Sequence, residues 1–285
     1  MTRTRTHART RERRGVALIV VLWTVVLLAT VTAIASGAAR SSAALASNAR
    51  AQATARAMAE SGILAARVLI DDSLRVLTSV DGAREEFLSR LEPATFDAQP
   101  LIQDSLADGV FAVTVVDVSS RLDVNNTDTD GLARLLATAA SPAEARAMAE
   151  RITSFVRGDQ SGTAYERLQS RDSLEAALLG RAASPRQRRP FESLDELREL
   201  PGMNEAALAQ VTHFLTVDGD GSINRQGAPP EVLASATGSL VDAPTRLLLI
   251  ARGWRGGHPL TRQIEAVYDV ASDGLRLVRW REHDR

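Results

Sequence analysis

The chain contains neither cysteine nor lysine among its 285 residues. Without cysteine, disulfides, thiolate metal sites and cysteine nucleophiles are excluded, and the redox state of the compartment leaves no trace in the sequence. Arginine supplies all 34 basic side chains, against 35 acidic ones, and the formal net charge is -1. Because no excess of positive charge is present to hold a polyanion, nucleic acid is not favoured as a partner.

Charge is also absent locally, since residues 16–39 carry no charged side chain. At about 1.5 Å of rise per residue, a helix of this length covers the roughly 30 Å hydrocarbon layer of a bilayer. The residues before it are rich in arginine, with Glu12 as the one acidic side chain. By the positive-inside rule this leader stays in the cytoplasm. The sequence predicts a single-pass protein of the cell inner membrane with a periplasmic C-terminal domain.

The apolar run begins directly after a glycine, and this junction allows three interpretations. A cleaved secretory signal could use Ala33-Ile34-Ala35 as its cleavage site, but its apolar region is normally about 7 to 15 residues long. A plain signal anchor would keep the leader. The sequence RRGVALIV also resembles the processing site of prepilins, which are cut after the glycine. That resemblance implies cleavage between Gly15 and Val16 by a prepilin peptidase and methylation of the new amine.

Val20 departs from the pattern of the prepilin family, most of whose members have glutamate at the fifth mature residue. A carboxylate in hydrocarbon is costly unless it meets a partner. In the family that partner is thought to be the N-terminal amine of a neighbouring subunit. A subunit with no neighbour above it has no such amine to meet, so valine at this position suits the tip of a filament.

Beyond the apolar run the sequence predicts an α+β fold. Residues 40–70 are rich in alanine and free of proline, and they continue the helix with one apolar stripe. Residues 71–109 are predicted to form a helix followed by a loop. β-Branched apolar runs predict strands at 110–118, 245–254, 261–270 and 275–280. The residues between the first and second strands have helical periodicity, which fits a helical domain inserted into an antiparallel sheet.

The inserted region contains a weak internal repeat. The segments RLDVNNT and SINRQGAP each combine an extended piece, an Asn-containing turn and the start of a helix. Two capping boxes, SPAE and SLDE, mark further helix starts. The second continues as FESLDELRELPGMNEAALAQV, which predicts a helix, a tight turn and another helix.

The order of these segments resembles the K-type minor pseudopilins of the type II secretion system, the general secretion pathway protein K (GspK) family. The segments are the glycine-cleaved leader, LDVNNT, FESLDELRELPGM, SINRQGAPPEVL and the C-terminal strands ending in VRWRE. The resemblance covers nearly the whole chain. It implies a pilin-like α+β fold, in which a long transmembrane helix packs on an antiparallel sheet and a large all-α domain of SAM-like or helix-hairpin-helix-like type is inserted.

The expected segments are a leader (1–15), a transmembrane helix (16–39), the first part of the pilin-like domain (40–118), the helical insert (119–240) and the C-terminal strands (241–285). The resemblance implies a non-enzymatic tip subunit that initiates the pseudopilus and supports export of folded proteins from the periplasm across the outer membrane. Its implied partners are the I-type and J-type minor pseudopilins, other pseudopilus subunits, the prepilin peptidase, the inner membrane and secreted cargo. The four histidines are scattered and no catalytic motif occurs, so no enzyme is predicted.

The runner-up function is a membrane-anchored nucleic-acid receptor of DNA uptake, because helix-LPGM-helix also resembles a helix-hairpin-helix module. Against it, Met203 replaces the second glycine of the hairpin. Acidic side chains that would repel phosphate flank the turn, namely Glu192, Asp195, Glu196, Glu199 and Glu205. The arginines within 181–190 are predicted to lie in a solvated loop.

No cofactor is required by the predicted function, but acidic loops make calcium a candidate ligand. The segment DGDGS begins like an EF-hand loop, although Ile223 replaces its turn glycine and Pro229 its bidentate glutamate. The pseudopilin family includes calcium-binding members. The candidate ligands are Asp123, Asp128, Asp130, Asp218 and Asp220. The competing interpretation is that these aspartates form turns and cap helices.

Overall fold

A computed structural model describes residues 9–77, 82–91, 100–158 and 190–284, with side chains from residue 18 onward. The chain divides into two compact units, residues 1–53 and residues 54–285. A single helix of 69 residues, α1 (Arg9–Leu77), contributes to both units. The helix predicted from the apolar run and the alanine-rich stretch is therefore present, and it continues for seven residues past the predicted end at 70.

The first unit exposes an apolar helix surface on every side. All described side chains from 18 to 50 are exposed, and Leu18, Trp23 and Ile34 expose 74%, 69% and 67% of their surface. The helical stretch Leu18–Leu77 is long and apolar enough to cross a membrane and reaches a mean hydropathy of 2.6. A helix that is apolar all round finds no core of its own to face. It requires lipid or other helices around it.

The second unit contains a five-stranded antiparallel sheet whose strands lie in chain order from one edge to the other. Its strands are β1 (Ile102–Leu106), β2 (Gly109–Asp117), β7 (Arg246–Arg255), β8 (Thr261–Ala271) and β9 (Gly274–Asp284). The four predicted strands agree with β2, β7, β8 and the first part of β9. The predicted loop before residue 109 is wrong at β1, where pairing with β2 converts a polar segment into an edge strand.

The C-terminal part of α1 packs on one face of this sheet. Ala59, Ile63 and Ile70 are at most 2% exposed and join Val113 of β2 and Leu249 of β7 in one core. A short helix, α2 (Ala83–Arg90), adds Leu88 to the same core. Alternation along the strands then directs every second side chain of β2, β7 and β8 to the opposite face.

At Gly253 of β7 the helix comes close enough to exclude any side chain. A Cβ atom built there would lie 2.2 Å from the carbonyl oxygen of Ala55 and 2.4 Å from the amide nitrogen of Ala59. Because both neighbours are backbone atoms, neither can rotate away. Glycine at this position therefore sets how closely α1 approaches the sheet.

The residues between β2 and β7 form the inserted region. Its elements are β3 (Leu122–Asp123), α3 (Thr129–Leu136), α4 (Pro142–Arg157), α5 (Glu196–Glu199), α6 (Glu205–Val211), β4 (Leu215–Thr216), β5 (Ile223–Asn224), α7 (Pro230–Ser235) and β6 (Leu240–Val241). They enclose a core of their own in which Leu132, Met148 and Ile152 are fully buried. Phe155 and Phe191 stack there with ring centroids 4.5 Å apart.

These elements confirm the predicted α+β fold, a long apolar N-terminal helix with an antiparallel sheet that is interrupted by a helical insertion. Among its described residues the insert contains the helices α3 to α7 and two short parallel strand pairs. Leu122 and Asp123 of β3 pair with β4, and β5 pairs with β6. Strands of two residues leave too short a pattern to predict from sequence.

Candidate functional site

The two turns of the internal repeat have the same hydrogen bonds. Asp123 accepts from the amide of Asn125 through Oδ1 at 2.9 Å and from the amide of Thr127 through its carbonyl at 2.8 Å. Asn224 accepts in the same way, at 3.1 and 2.9 Å, from the amides two and four residues further on. The repeat that the sequence predicted is thus present in the fold. In both copies an Asp or Asn side chain replaces backbone pairing in the turn.

Asp117 lies at the point where the chain leaves the sheet for the insert. Its buried carboxylate accepts from the amide of Ser119 at 2.8 Å and from Nδ2 of Asn224 at 2.7 Å. The hydroxyl of Ser119 accepts from the amide of Thr245, where the chain returns to the sheet, at 3.1 Å. Burial raises the pKa of Asp117, while the bonds from Ser119 and Asn224 oppose that rise. The sequence analysis did not predict this junction, although the position of Asp117 at the end of an apolar strand could have indicated it.

A cluster of arginines from the sheet holds Asp218 of the insert. The Asp218 carboxylate is 7% exposed and accepts from Nη1 of Arg279 at 3.2 Å and from Nη2 of Arg281. Arg246 donates to the carbonyls of Asp218 and Gly219, at 2.8 Å each. Both carboxylate oxygens of Asp218 are therefore paired with cations. Sequence analysis identified Asp218 as a metal ligand candidate and missed its arginine partners.

The candidate calcium ligands do not fit a calcium ion in this arrangement. Calcium takes about six to eight oxygen ligands, and the described residues include no group of three or more acidic or histidine side chains placed to hold a metal. Asp123 already accepts from the amide of Asn125 and from the side chain of Asn126. Burial raises the pKa of Asp123, which disfavours its charged form. The calcium site stays a prediction that the geometry does not support.

The other three aspartates of that set have local partners. Asp128 caps α3 by accepting from the amide of Gly131 at 2.8 Å. Asp130 pairs with Arg146 on the surface. Asp220 accepts from the amide of Ser222 at 2.9 Å. The contacts of Asp128 and Asp220 match the competing interpretation, in which aspartates cap helices and form turns, whereas Asp130 forms a surface ion pair.

The predicted processing site lies in α1. Gly15 and Val16 have helical backbone, and their side chains are outside the described residues. Residues 1–8 of the leader and the arginines within 181–189 also lie outside the described residues. The predictions on cleavage and on the arginine-rich loop therefore stay predictions.

The hairpin between α5 and α6 is turned toward α4. Gly202 has φ of 75°, and its carbonyl accepts from Nη1 of Arg151 at 2.6 Å. Asn204 caps α6 by accepting from the amide of Ala207 at 3.1 Å, and its Nδ2 donates to Glu144 at 2.8 Å. The turn thus binds side chains of the same domain. This arrangement gives no support to phosphate binding by the hairpin.

The last strand, β9, is an edge of the sheet with apolar side chains in solvent. Leu277, Val278 and Trp280 expose 52%, 47% and 38% of their surface. An edge strand also presents unpaired backbone groups. Together with the apolar surface of α1, this edge can bind other proteins. Among the described residues, the exposed large apolar side chains lie mainly on α1 and on β9.

Comparisons with known proteins give matches to solved structures alone. No protein-family model matches the chain, and no curated protein matches it. One similar solved structure is a chain from the crystal structure of the GspK-GspI-GspJ complex of the enterotoxigenic Escherichia coli type 2 secretion system. The identity is 14% and the TM-score 0.48, over 79% of this chain and 100% of that chain. Proteins this different in sequence can share a fold without sharing an activity.

Proposed function

We propose that this chain is a minor pseudopilin of the K type, a non-enzymatic subunit at the tip of a type II secretion pseudopilus. In this function it initiates the pseudopilus and supports the export of folded proteins from the periplasm across the outer membrane. The observation that carries the proposal is the exposed apolar stretch of α1, which begins just after Gly15. Such a helix serves both as a membrane anchor before extraction and as a shaft between subunits afterwards.

Val20 supports the tip position. Its side chain is 56% exposed on an apolar helix, at the position where most pilins have glutamate. A subunit inside a filament can pair that glutamate with a neighbour's amine, whereas a terminal subunit would leave it unpaired in hydrocarbon. Valine avoids this cost. The large insert supports the same position, because extra volume at the end of a filament meets no subunit above it.

The proposed location is the inner membrane, with the leader in the cytoplasm and the domain in the periplasm. The arginine-rich leader supports this orientation. The proposed partners are the I-type and J-type minor pseudopilins, the other pseudopilus subunits, secreted cargo, and the prepilin peptidase that would cut after Gly15. A filament subunit with these partners needs protein surfaces, and the exposed side chains of α1 and of the β9 edge offer them.

Co-purification of the full chain tests the proposal. We would co-express it with I-type and J-type minor pseudopilins and purify it from detergent-solubilised membranes, using an unrelated single-pass protein as the control bait. The expected result is a stoichiometric complex that survives high salt, because apolar helix contacts are not screened. Absence of this complex, together with tight and salt-sensitive binding of DNA, would contradict the proposal and favour the nucleic-acid receptor.

A further inference from the structure

The edge strand β9 presents apolar side chains on one face of the sheet. Leu277 and Trp280 lie opposite Tyr268 and Ala266 of β8, and both of these partners belong to the core under α1. Directly opposed residues of an antiparallel pair share a face, so Leu277 and Trp280 lie on the α1 face, at the edge of the sheet. They nevertheless expose 52% and 38% of their surface. On this face the edge is therefore apolar and accessible.

The other face of β9 presents basic side chains. They are Arg276, Arg279, Arg281 and His283, which lie opposite Asp269, Val267, Glu265 and Gln263 of β8. Arg276 exposes 68% of its side chain. Arg279 and Arg281 share the single carboxylate of Asp218, and Arg281 also lies 3.6 Å from Glu265. The acidic partners of this basic row all belong to other segments of the chain.

A β-bulge separates the two kinds of side chain. In the pairing of β8 with β9, Val267 lies opposite Arg279 and the next residue of β8 lies opposite Leu277, which leaves Val278 without a partner. A bulge adds one residue to one strand and reverses the alternation of the residues that follow. Without the extra residue, Trp280 would lie on the basic face and Arg279 on the apolar one.

The helix α1 extends the apolar edge. It runs along β9, because Arg56 bonds Glu282 at 2.9 Å and Asp71 accepts from the amide of Leu275 at 2.6 Å. Leu64 lies between these two contacts in the sequence of α1 and exposes 60% of its surface. Among the described residues, Asp71 is the only group outside the sheet that binds a backbone amide of β9. The rest of the edge keeps its outward backbone groups available.

An edge of this kind can be extended by an added strand, whose backbone pairs with the edge while its alternate side chains meet each face. A strand beside β9 would place every second side chain next to Leu277 and Trp280, and the others next to the basic row. Apolar and acidic side chains in alternation match both faces. A second copy of β9 does not match them. In the antiparallel register that pairs the two apolar side chains, Arg276 lies opposite Arg281, and like charges directly opposite are destabilising.

We infer that the β9 edge is a strand-addition site for an extended segment of a partner protein in which apolar and acidic side chains alternate. Backbone hydrogen bonds supply affinity, and the side chains on the two faces supply selectivity. The apolar side chains of the partner pack on Leu64, Leu277 and Trp280, and its acidic side chains pair with the basic row. The inference goes beyond the proposed function, since this binding mode and partner chemistry hold whether or not the partner is a pseudopilin.

The test uses the full chain in nanodiscs of zwitterionic lipid and three synthetic peptides. The first peptide alternates valine and glutamate, and the second alternates valine and lysine. The third is the valine–glutamate peptide with its two central residues N-methylated, which removes backbone donors on both edges of the peptide and keeps its side chains.

Three variants of the chain accompany the peptides. Leu277→Lys charges the apolar face of the β9 edge. Its matched control is Leu106→Lys, because Leu106 is an exposed leucine of β1, the strand at the other edge of the sheet. Arg276→Gln removes one cation of the basic row and leaves the contacts of Asp218 in place.

We expect saturable binding of the valine–glutamate peptide, measured by fluorescence anisotropy, that is about tenfold tighter at low salt than binding of the valine–lysine peptide. N-methylation and Leu277→Lys should each weaken binding by about tenfold or more, and Arg276→Gln by about threefold. Leu106→Lys should have no effect. On binding, amide exchange should slow in β9 and stay unchanged in β1.

Absence of saturable binding by the valine–glutamate peptide, or equal binding by the valine–lysine peptide, would overturn the inference. Undiminished binding of the N-methylated peptide would do the same, because a partner that needs no backbone pairing, such as a helix, would then fit the edge. Exchange in β9 that slows with rising protein concentration in the absence of peptide would also contradict the inference, since it would assign the edge to a second copy of this chain.

Discussion

Two stretches of the same helix have opposite surroundings. From 18 to 50, α1 exposes every side chain, with Leu22 at 62% and Leu28 at 64%. In the part that belongs to the second unit, Ala59, Ile63 and Ile70 are buried against the sheet. Residues 18–39 of the first stretch carry no charge and are apolar on every side, whereas the second stretch is amphipathic with arginines and acids on its outer side.

The distribution of apolar side chains around the helix, and not the helical backbone, therefore decides which surroundings each stretch requires. The amphipathic stretch buries its apolar side against the sheet of the same unit, and Gly253 of β7 allows the backbone of α1 to come close to that strand. Among the described residues, the apolar stretch packs against no other element of its own unit, so lipid or other helices must surround it. This helix thus connects a segment that is long and apolar enough to cross a membrane with a folded domain.

The largest expected effect comes from charging the apolar stretch. In Val21→Lys/Val25→Lys each charge should cost about 2.5 to 3.5 kcal/mol of insertion free energy, and we expect the fraction kept in membranes after alkaline extraction to fall sharply. The matched control is Leu64→Lys/Val68→Lys, which charges two exposed apolar residues of the other stretch. Equal retention of the two variants in membranes would contradict the difference between the two stretches.

A second test concerns the close approach at Gly253. Gly253→Ala places a methyl group against two backbone atoms of α1, and we expect a loss of about 3 kcal/mol in unfolding free energy. Gly256→Ala is the control, because its nearest neighbour would be the carbonyl oxygen of Asp108 at 3.4 Å. Denaturant titration in mild detergent measures both. If the two variants unfold alike, α1 is not seated on β7 as described.

A third test uses alkaline pH, where no lysine titrates because the chain contains none. Tyr268 of β8 lies under α1, with the guanidinium of Arg67 5.9 Å from its ring centroid, and burial raises the pKa of Tyr268 above 10.0. Since the native state then holds its proton longer than the unfolded state, unfolding free energy should fall as pH rises from 10.0 through the raised pKa. The slope is at most about 1.4 kcal/mol per pH unit.

The readout for this test is the unfolding free energy as a function of pH. Tyr268→Phe should remove the alkaline slope. Tyr165→Phe, the change at the other tyrosine of the chain, should leave it in place; residue 165 lies outside the described residues. A slope that persists in Tyr268→Phe would show that the ring is not buried beneath the helix.

The smallest effect is expected at the outer side of the amphipathic stretch. Arg56 is 57% exposed and bonds Glu60 at 3.0 Å and Glu282 at 2.9 Å. Exposed ion pairs contribute little, so Arg56→Gln should cost less than about 1 kcal/mol, and the cost should vanish near 1 M salt. Denaturant titration at low and high salt measures it. A large loss that is insensitive to salt would mean that this side of the helix is buried by something else.

Much of the fold could be predicted because its signals are local. The uncharged run and the alanine-rich stretch predict one long helix, and β-branched runs predict β2, β7 and β8 within about a residue or two at each end. The edge strand β1 could not be found, because IQDSL has neither alternation nor apolar character. Its strand structure comes from pairing with β2, which is a tertiary effect.

The polar site was only partly predictable. The Asp and Asn of the two repeat turns are recognisable, since their side chains bind amides two residues away. The pairing of Asp218 with Arg279 and Arg281 spans more than sixty residues, and an acidic loop sequence looks the same whether a metal or an arginine neutralises it. In β9, Val278 has no partner on β8, and this bulge reverses the alternation so that Arg279 and Arg281 face Asp218. The sequence carries no mark of the bulge.

The most direct test of the central claim is the mass of the mature N-terminus. The full chain would be isolated from membranes of cells with and without an active prepilin peptidase and measured intact and after proteolysis. The account predicts a chain that begins at Val16 with a methylated amine when the peptidase is active, and at Met1 when it is not. A chain that begins at Met1 in both strains, or near Ser36, would contradict the pseudopilin assignment.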